Sequence, residues 1–210
     1  LTVTPANLTI TGLTAADKNY DGTAAAIISG TTAYTGKLTG DNVTYTYSAG
    51  NFNSANVGLR TVALTGTVSG TDAGNYTIVT PSSLQGTISA KALTITGQTA
   101  ANKVYDSTNT ATLSGGTLQG VVGSEDVTLT QSGTFASVNV GMGISITATN
   151  ALGGTAIANY SLTQPTGLSA NITAKSLSIS GLTASNKPYD GTTAATVSNW
   201  GSVSTGVAGE

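Results

Sequence analysis

The chain carries the segment Leu8-Thr-Ile-Thr-Gly-Leu-Thr-Ala-Ala-Asp-Lys-Asn-Tyr-Asp-Gly22 in three copies. The second copy, Leu93 to Ser107, begins 85 residues after the first, and the third, Leu177 to Gly191, begins 84 residues later. Eight of the fifteen positions are identical in all three copies. A tandem array of this kind indicates reach, display or assembly rather than a single catalytic site.

The repeat length bounds the organisation of the 210 residues. A unit of roughly 84 residues is large enough to fold alone, because domains usually run ~50–250 residues, and the period exceeds the ~20–50 residues of solenoids and propellers. We therefore predict beads in series, each with its own core. Residues 1–5 are the end of a preceding repeat, 6–90 the first β repeat, 91–174 the second and 175–210 an incomplete third. Because the chain opens in mid-motif, we expect it to be an excerpt of a longer protein or to have ends completed by another chain.

Composition argues against several classes of function. Only 8% of the residues are charged, against an ordinary ~25%, and a net charge of −2 leaves no basic surface for nucleic acid or anionic lipid. The chain has no cysteine and no histidine, which removes disulfides, thiolate zinc sites, cysteine nucleophiles and the usual general base. No apolar run approaches the ~18 residues of a membrane span, and no signal peptide begins the chain. We predict no enzyme, no nucleic-acid partner and no membrane insertion in this segment.

Alternating side chains predict an all-β fold. Apolar and hydroxyl residues alternate in Leu8-Thr-Ile-Thr11, as a half-buried strand requires, and helix signals are nearly absent. Similar runs between turn signals give about seven strands per repeat, the spacing of a β-sandwich. Thr71-Asp-Ala-Gly-Asn-Tyr76 contains Asp-x-Gly-x-Tyr, with which immunoglobulin-like sandwiches place a corner tyrosine whose hydroxyl bonds to nearby backbone. An immunoglobulin-like sandwich is therefore predicted; a β-grasp-like repeat is the alternative, but it needs a helix that the sequence lacks.

The joins between repeats are short. Ile88-Ser-Ala-Lys-Ala-Leu93 and Ile172-Thr-Ala-Lys-Ser-Leu177 contain no glycine and no Pro/Ser-rich tract, unlike flexible linkers. The last strand of one repeat is therefore expected to run almost directly into the first strand of the next. This predicts tandem sandwiches in a stiff or semi-stiff rod.

A lysine recurs in the copies with an aspartate three positions on. One interpretation is an isopeptide bond from the lysine to an asparagine, which intact mass would detect as the loss of one ammonia. The alternative is a turn in which the lysine stem packs across the recurring tyrosine and the aspartate caps the loop. We favour the turn because the lysine lies in a loop. The residues concerned are Lys18, Lys103 and Lys187, Asp21, Asp106 and Asp190, and the recurring asparagines Asn56, Asn139, Asn75 and Asn159.

Three other features have a functional and a structural interpretation. Asp41-Asn42 and Glu125-Asp126 could bind calcium through oxygen, but two acids are few for such a loop, so turn chemistry before a strand is favoured. The Thr9/Thr11 and Thr94/Thr96 pairs are interpreted as outward strand residues rather than an ice-binding face. Trp200 is expected to make a local contact or be partly buried rather than to stack on a sugar. We assign no catalytic, cofactor-binding or metal-binding residue and expect no cofactor, with calcium as the alternative.

The motifs, taken in their order, resemble the YDG-type repeats of very large bacterial surface proteins. The resemblance rests on Lys18 to Gly22, on its counterpart Lys187 to Gly191, on the Leu-Thr-Ile-Thr-Gly opening, and on the closing motifs Gly74 to Tyr76 and Asn171 to Lys175. The second copy has Ser107 where the others have glycine. The resemblance implies a filamentous-haemagglutinin-like adhesin, secreted or at the bacterial cell surface, with a role in adhesion, biofilm or matrix and no named ligand.

From the array and the resemblance together we expect an extracellular stalk segment that spaces or displays a binding region. One alternative is a carbohydrate- or protein-binding adhesive module. Another is a self-assembling fibre subunit whose incomplete third repeat exchanges strands with a neighbouring chain. The partners to consider are other copies of the same chain, a glycan and a surface protein.

Overall fold

The strands form where apolar and hydroxyl side chains alternate. In the computed structural model, which describes residues 1–81, 84–207 and 209, Leu8 and Ile10 are fully buried while Thr11 is exposed. Such half-buried, pleated surfaces favour the β-branched residues that fill this chain. The described residues form an all-β fold without an α-helix, interrupted by two short 3-10 turns at Ala73–Asn75 and Ile157–Asn159.

The first repeat contains eight strands, two of them only two residues long. They are β1 (Ala6–Ala15), β2 (Lys18–Asn19), β3 (Ala25–Ala26), β4 (Ile28–Thr35), β5 (Thr44–Phe52), β6 (Gly58–Ser69), β7 (Tyr76–Val79) and β8 (Gln85–Ser89). The corresponding segments of the second repeat form more strands, most of them shorter. They are β9 (Lys91–Thr96), β10 (Thr99–Ala100), β11 (Lys103–Val104), β12 (Thr110–Ala111), β13 (Leu113–Ser114), β14 (Thr117–Gln119), β15 (Thr128–Thr130), β16 (Gly133–Phe135), β17 (Gly141–Ala148), β18 (Ala151–Gly153), β19 (Tyr160–Leu162) and β20 (Ser169–Thr173). The third copy contains β21 (Ser178–Ala184) and β22 (Val197–Ser204).

Each full repeat has a three-stranded and a five-stranded sheet. In the first repeat the orders are β4-β1-β7 and β2-β8-β6-β5-β3, and in the second they are β14-β9-β19 and β11-β20-β17-β16-β12. β1 runs antiparallel to β4 but parallel to β7, with Leu8 opposite Ile78, and β2 runs parallel to β8. The second repeat has the equivalent parallel pairs β9/β19 and β11/β20. These parallel pairs recur, so they belong to the repeat itself.

The join between the first two repeats is one residue long. β8 ends at Ser89 and β9 begins at Lys91, and the flanking Ile88 and Leu93 are both 0% exposed. The prediction that one strand leads almost directly into the next is confirmed at this join. At the second join, residues 174–177 lie between β20 and β21.

Two compact units divide the chain, and their limits differ from those of the sequence repeats. One unit contains residues 1–94, 118–128 and 152–163, and the other contains 95–117, 129–151 and 164–210. The first unit therefore holds the whole first repeat together with three segments of the second, residues 91–94, 118–128 and 152–163. The repeat boundaries at residues 6–90 and 91–174 stay predictions for independently folding beads.

The core of the first unit explains this offset. A small cluster contains Leu8, Val43 and Tyr76. A larger cluster, which we call the joint core, combines side chains of both repeats: Tyr20, Phe52, Val62, Leu84, Ile88, Leu93 and Tyr160. Burial of a Leu- or Phe-sized side chain contributes about 1.5–3 kcal/mol, so Leu93 and Tyr160 hold part of the second repeat onto the first. The other unit has its own core of Ala111, Leu113, Phe135, Ile146, Ala148, Ala170 and Ile172.

The third copy forms a two-stranded hairpin. β21 and β22 pair antiparallel with Leu182 opposite Trp200, and no other strand of the described chain joins them. Trp200 makes a local strand pairing with Leu182, as one of the two expectations had it, but it is 76% exposed, so the other expectation, partial burial, is wrong. The physical reason is that no further described strand covers this hairpin, whereas Leu8 and Ile10 of the first copy are fully buried.

Candidate functional site

The Lys-x-Tyr-Asp segment folds as a stapled turn. Lys18 Nζ lies 2.7 Å from Asp21 Oδ1 and donates to the carbonyl oxygen of Thr23, while Asp21 Oδ1 accepts from Thr23 N at 2.9 Å. The pairs Lys103–Asp106 and Lys187–Asp190 have the same arrangement, at 2.6 and 2.8 Å. The hydrogen bond from Lys18 is the main reason that the pKa of Asp21 falls to about 2. The turn-capping role predicted for the aspartates is therefore the one seen.

The lysine amines do not contact the asparagines considered for isopeptide bonds. In all three copies Nζ bonds to the aspartate and to the threonine that follows it, and in the first two copies it also donates to a backbone carbonyl two residues later, that of Ala25 or Thr110. Asn56 and Asn159 instead bond to each other, with Asn159 Nδ2 3.2 Å from Asn56 Oδ1. This geometry favours a structural turn over a cross-link.

The residue after the aspartate needs a left-handed backbone in every copy. Its φ is +79° at Gly22, +71° at Gly191 and +62° at Ser107, the single non-glycine residue with positive φ in the described chain. A side chain in this conformation is strained by roughly 1–2 kcal/mol. The turn conformation is therefore kept even where glycine is missing.

Ser107→Gly is expected to stabilise the chain by up to about 1 kcal/mol, because relief of strain outweighs the greater freedom of glycine in the unfolded state. Urea unfolding measures the effect. The same change in an exposed strand position, Ser145→Gly, serves as the control and should destabilise by about 0.5–1 kcal/mol. A loss of stability in Ser107→Gly would contradict the assignment of strain.

Tyr76, predicted as a corner tyrosine, makes a different contact from the one expected. Its hydroxyl accepts from the backbone N–H of Leu38 at 3.0 Å and donates to Asp41 Oδ2 at 2.6 Å. The predicted bond between the hydroxyl and backbone is therefore present, but its partner lies 38 residues away in the chain, because β7 lies parallel to β1 and its first residue sits beside the loop that contains Leu38. Tyr160 repeats the arrangement, accepting from Val122 N at 2.9 Å and donating to Glu125 Oε2 at 2.6 Å.

Glu125 joins the two repeats at the edge of the joint core. While one carboxylate oxygen accepts from Tyr160 of its own repeat, the other accepts from Tyr20 of the first repeat at 2.5 Å. The two tyrosine rings meet edge to face, with centroids 5.5 Å apart at 80°. The hydrogen bond to Glu125 and burial raise the pKa of Tyr20 to about 12, and the two hydroxyls lower the pKa of Glu125. We call Tyr20, Glu125 and Tyr160 the tyrosine clamp.

Asn159 makes a second polar contact across the same join. It is 8% exposed, its Oδ1 accepts from Val57 N at 3.0 Å, and its amide donates to Asn56. A buried amide that fails to find partners destabilises by about 1–3 kcal/mol. The Asn56-Val-Gly turn of the first repeat is therefore held specifically against the second.

Comparison with protein families finds a match over most of the chain. A model of the YDG domain matches residues 4–84 and again residues 89–167. The chain belongs to the YDG domain family. Comparison with curated proteins finds no match, and comparison with solved structures finds none. The YDG repeat thus coincides with the sequence repeat, and the tyrosine of the motif is the residue that reaches the next YDG repeat.

The remaining candidates have ordinary structural partners in this YDG array. Asp126 Oδ2 accepts from Thr155 N at 2.9 Å, and Asp72 Oδ2 accepts from Asn42 N at 2.7 Å, so these acids cap turns. In the part of the chain that the structure describes, no three acidic, histidine or cysteine side chains are grouped as a metal site. Nor does that part contain a helix with the length and apolarity needed to cross a membrane.

Sequence reasoning did not find the tyrosine clamp. Tyr20, Tyr160 and the acid at position 41 or 125 all recur, which is a signal, but the clamp joins Tyr20 to Glu125 across two YDG repeats. Repetition shows which residues matter in each copy and does not show that partners belong to neighbouring copies. From the sequence alone the recurring acid suggests an oxygen ligand for calcium or a turn before a strand, and neither interpretation includes a tyrosine of another repeat.

The join between YDG repeats is expected to lose stability at both extremes of pH. Glu125 has a lowered folded-state pKa, so its contribution is complete above the ordinary value of about 4.3 and is lost as pH falls through the folded-state value. Asp21 adds to this acid arm in the same compact unit, and Asp106 acts in the same direction on the stability of the other unit. Tyr20 has a raised pKa, so its contribution is complete below about pH 10 and is lost as pH rises towards 12.

Thermal unfolding as a function of pH tests this expectation. Tyr20→Phe should weaken the alkaline arm, though not remove it, because Tyr45, Tyr76 and Tyr160 also have raised pKa values. The acid arm should remain, since Asp21 and Asp106 are unchanged. An alkaline arm identical in Tyr20→Phe and the parent chain would contradict the role given to this hydroxyl.

Proposed function

We propose that this chain is an extracellular stalk segment of a bacterial adhesin or biofilm-matrix protein, which spaces or displays a binding region away from the cell. The observation that carries the proposal is the joint core with its tyrosine clamp. A spacer transmits position only if consecutive repeats keep their relative orientation. Leu93 and Tyr160, buried among first-repeat side chains, and Glu125, bonded to Tyr20, provide such a constraint.

The proposal extends to the finer family and fold. We infer that the array belongs to filamentous-haemagglutinin-like adhesins and that each repeat is a small immunoglobulin-like sandwich in a rod. The three-stranded and five-stranded sheets of the first repeat support the sandwich, while the second repeat adds two two-stranded sheets, β10/β13 and β15/β18. The parallel pairs β1/β7 and β2/β8 depart from a purely antiparallel sandwich, so an experimental topology of the first repeat is the check on this part.

The surface composition supports a spacer. With 8% charged residues and outward threonine and serine side chains, the strands present hydroxyl groups to water and few charges that attract partners. The repeated residues account for turns, cores and the join, so the proposed mechanism is mechanical rather than catalytic.

Surface display tests the stalk role. A tip epitope is attached to a cell through residues 1–210 or through a Gly/Ser linker of the same number of residues, which behaves as a flexible coil. Antibody fragments of increasing size should reach the epitope better on the protein than on the coil. Equal access, or retention of the cells on glycans or host proteins by the segment itself, would overturn the stalk and favour the adhesive module.

A fibre subunit is the second candidate, and one observation favours it. In the third copy Leu177, Ile179 and Leu182 are 62%, 58% and 55% exposed, whereas Leu8 and Ile10, the counterparts of the first two, are 0% exposed. Strands from another chain would cover this hairpin. Sedimentation velocity over a range of concentrations tests it: self-association that Ile179→Asp removes would support a fibre, and a concentration-independent monomer would exclude it.

A further inference from the structure

At the join between the first two repeats, a small set of second-repeat residues contacts the first repeat. Val122 packs against the joint core, Glu125 accepts the hydroxyl of Tyr20, and Asn159 accepts the backbone N–H of Val57. Tyr160 holds Glu125 and Val122 together through its own hydroxyl. These four second-repeat residues form the receiving face of the join.

The first repeat carries an equivalent face, and Val3, Thr4 and Pro5 line the cavity beside it. Leu38, Asp41, Asn75 and Tyr76 occupy the equivalent positions, and the internal hydrogen bonds agree within 0.1 Å: 3.0 against 2.9 Å for the backbone donor, and 2.6 Å in both for the carboxylate. The fold has therefore already oriented the acceptor groups.

The two faces differ in how much of their side chains is exposed. Leu38 is 66% exposed, whereas its counterpart Val122 packs against the joint core, and Asn75 is exposed where Asn159 is buried. Among the described residues none donates a hydrogen bond to Asp41 Oδ1, the oxygen that corresponds to the Tyr20 acceptor of Glu125. An open cavity of about 520 Å³, lined in part by Ala6, Leu38, Asp41, Asn75 and Tyr76, lies over the face.

We propose that Leu38, Asp41, Asn75 and Tyr76 form a docking surface for another YDG repeat. The partner would use the end of its fold that carries the Lys-x-Tyr-Asp and Asn-Val-Gly turns. The chemistry of that partner is set by the occupied join: a tyrosine on a Lys-x-Tyr-Asp turn, whose hydroxyl binds Asp41 Oδ1, and an Asn-Val-Gly turn, whose backbone N–H binds Asn75. The proposed surface joins one repeat to another. The proposal is therefore independent of whether the array is a stalk that spaces a binding region or a module that binds a ligand itself. Failure of the display experiment would leave it untouched.

The same chemical change at three equivalent tyrosines tests the docking surface. The chain is extended by placing a second copy of residues 6–90 before residue 6, which keeps the native spacing between repeats, and the added copy then faces Asp41. Three variants of this extended chain are compared by thermal unfolding: Tyr20→Phe in the native repeat, Tyr20→Phe in the added copy, and Tyr189→Phe. Tyr189 lies on the same type of turn and is 98% exposed, so it is the matched control.

Loss of a hydrogen bond to a carboxylate should lower Tm by about 3 °C or more in the native-repeat variant. We expect a similar shift for the added copy and less than about 1 °C for Tyr189→Phe. Protection of the Leu38 amide from hydrogen exchange should also increase in the extended chain. The inference is overturned if the added-copy variant behaves like Tyr189→Phe while the native-repeat variant shows its shift, because the added repeat would then be folded but not docked.

Discussion

Leu93→Ala is expected to lower the free energy of unfolding of the first compact unit by about 2–5 kcal/mol. Leu93 is 0% exposed and belongs to the joint core, where it packs with first-repeat side chains although it lies in the second repeat. Its removal leaves a cavity that the surrounding strands cannot fill. Urea unfolding followed by tyrosine fluorescence measures the loss.

The repeat supplies a matched control for this change. Leu177 holds the same place in the motif but is 62% exposed, so Leu177→Ala should stay within about 0.5 kcal/mol of the parent chain. Equal effects of the two substitutions would contradict the assignment of Leu93 to a core that the two repeats share.

Phe52→Ala should have a comparable effect, about 3–5 kcal/mol, and should also open the join. Phe52 is 4% exposed and lies on the first-repeat side of the joint core. Because the Val57 amide is held by Asn159 across the join, its hydrogen exchange should become faster in this variant.

Phe135→Ala separates the join from general loss of stability. Phe135 is equivalent in sequence and 2% exposed, but it belongs to the core of the other unit. We expect a similar destabilisation with Val57 exchange close to that of the parent chain. If both phenylalanine variants accelerate Val57 exchange equally, the two cores are not separate.

Local pattern was enough to predict the all-β fold, the buried face of the first strand and the turn that Asp21 caps after Lys18. Each depends on residues close together in the chain, where period-two alternation and turn chemistry act directly. The short join was predictable in the same way from Ile88 to Leu93, which contains no glycine or proline.

The partners of those residues could not be predicted in the same way. Alternation shows that Leu93 is buried but not that Phe52 and Tyr20 share its core. Tyr76 was assigned to a corner from a local motif, whereas its hydroxyl bonds to Leu38 and Asp41 because β7 is parallel to β1. The missing partners of Leu93 and the misplaced partner of Tyr76 both arise where sheet topology, which brings distant segments together, decides the contact.

Gly22 is constrained both by the conformation of its own turn and by packing against the next repeat. Its φ of +79° satisfies the turn locally, and a Cβ atom placed on it would lie 2.9 Å from Val122 Cγ1 of the next repeat. The second copy keeps the turn with Ser107. Close packing against a following repeat is thus an additional constraint on this glycine.

The most direct test of a stiff join uses spin labels on either side of it. The chain has no cysteine, so Thr61→Cys and Ser161→Cys, at exposed strand positions in the first repeat and in the second-repeat part of the same compact unit, allow clean labelling. Pulsed dipolar spectroscopy should give one narrow distance distribution, which broadens when Tyr20→Ala and Glu125→Ala remove the tyrosine clamp. A distribution that is already as broad in the parent chain as in the clamp variant would contradict the account.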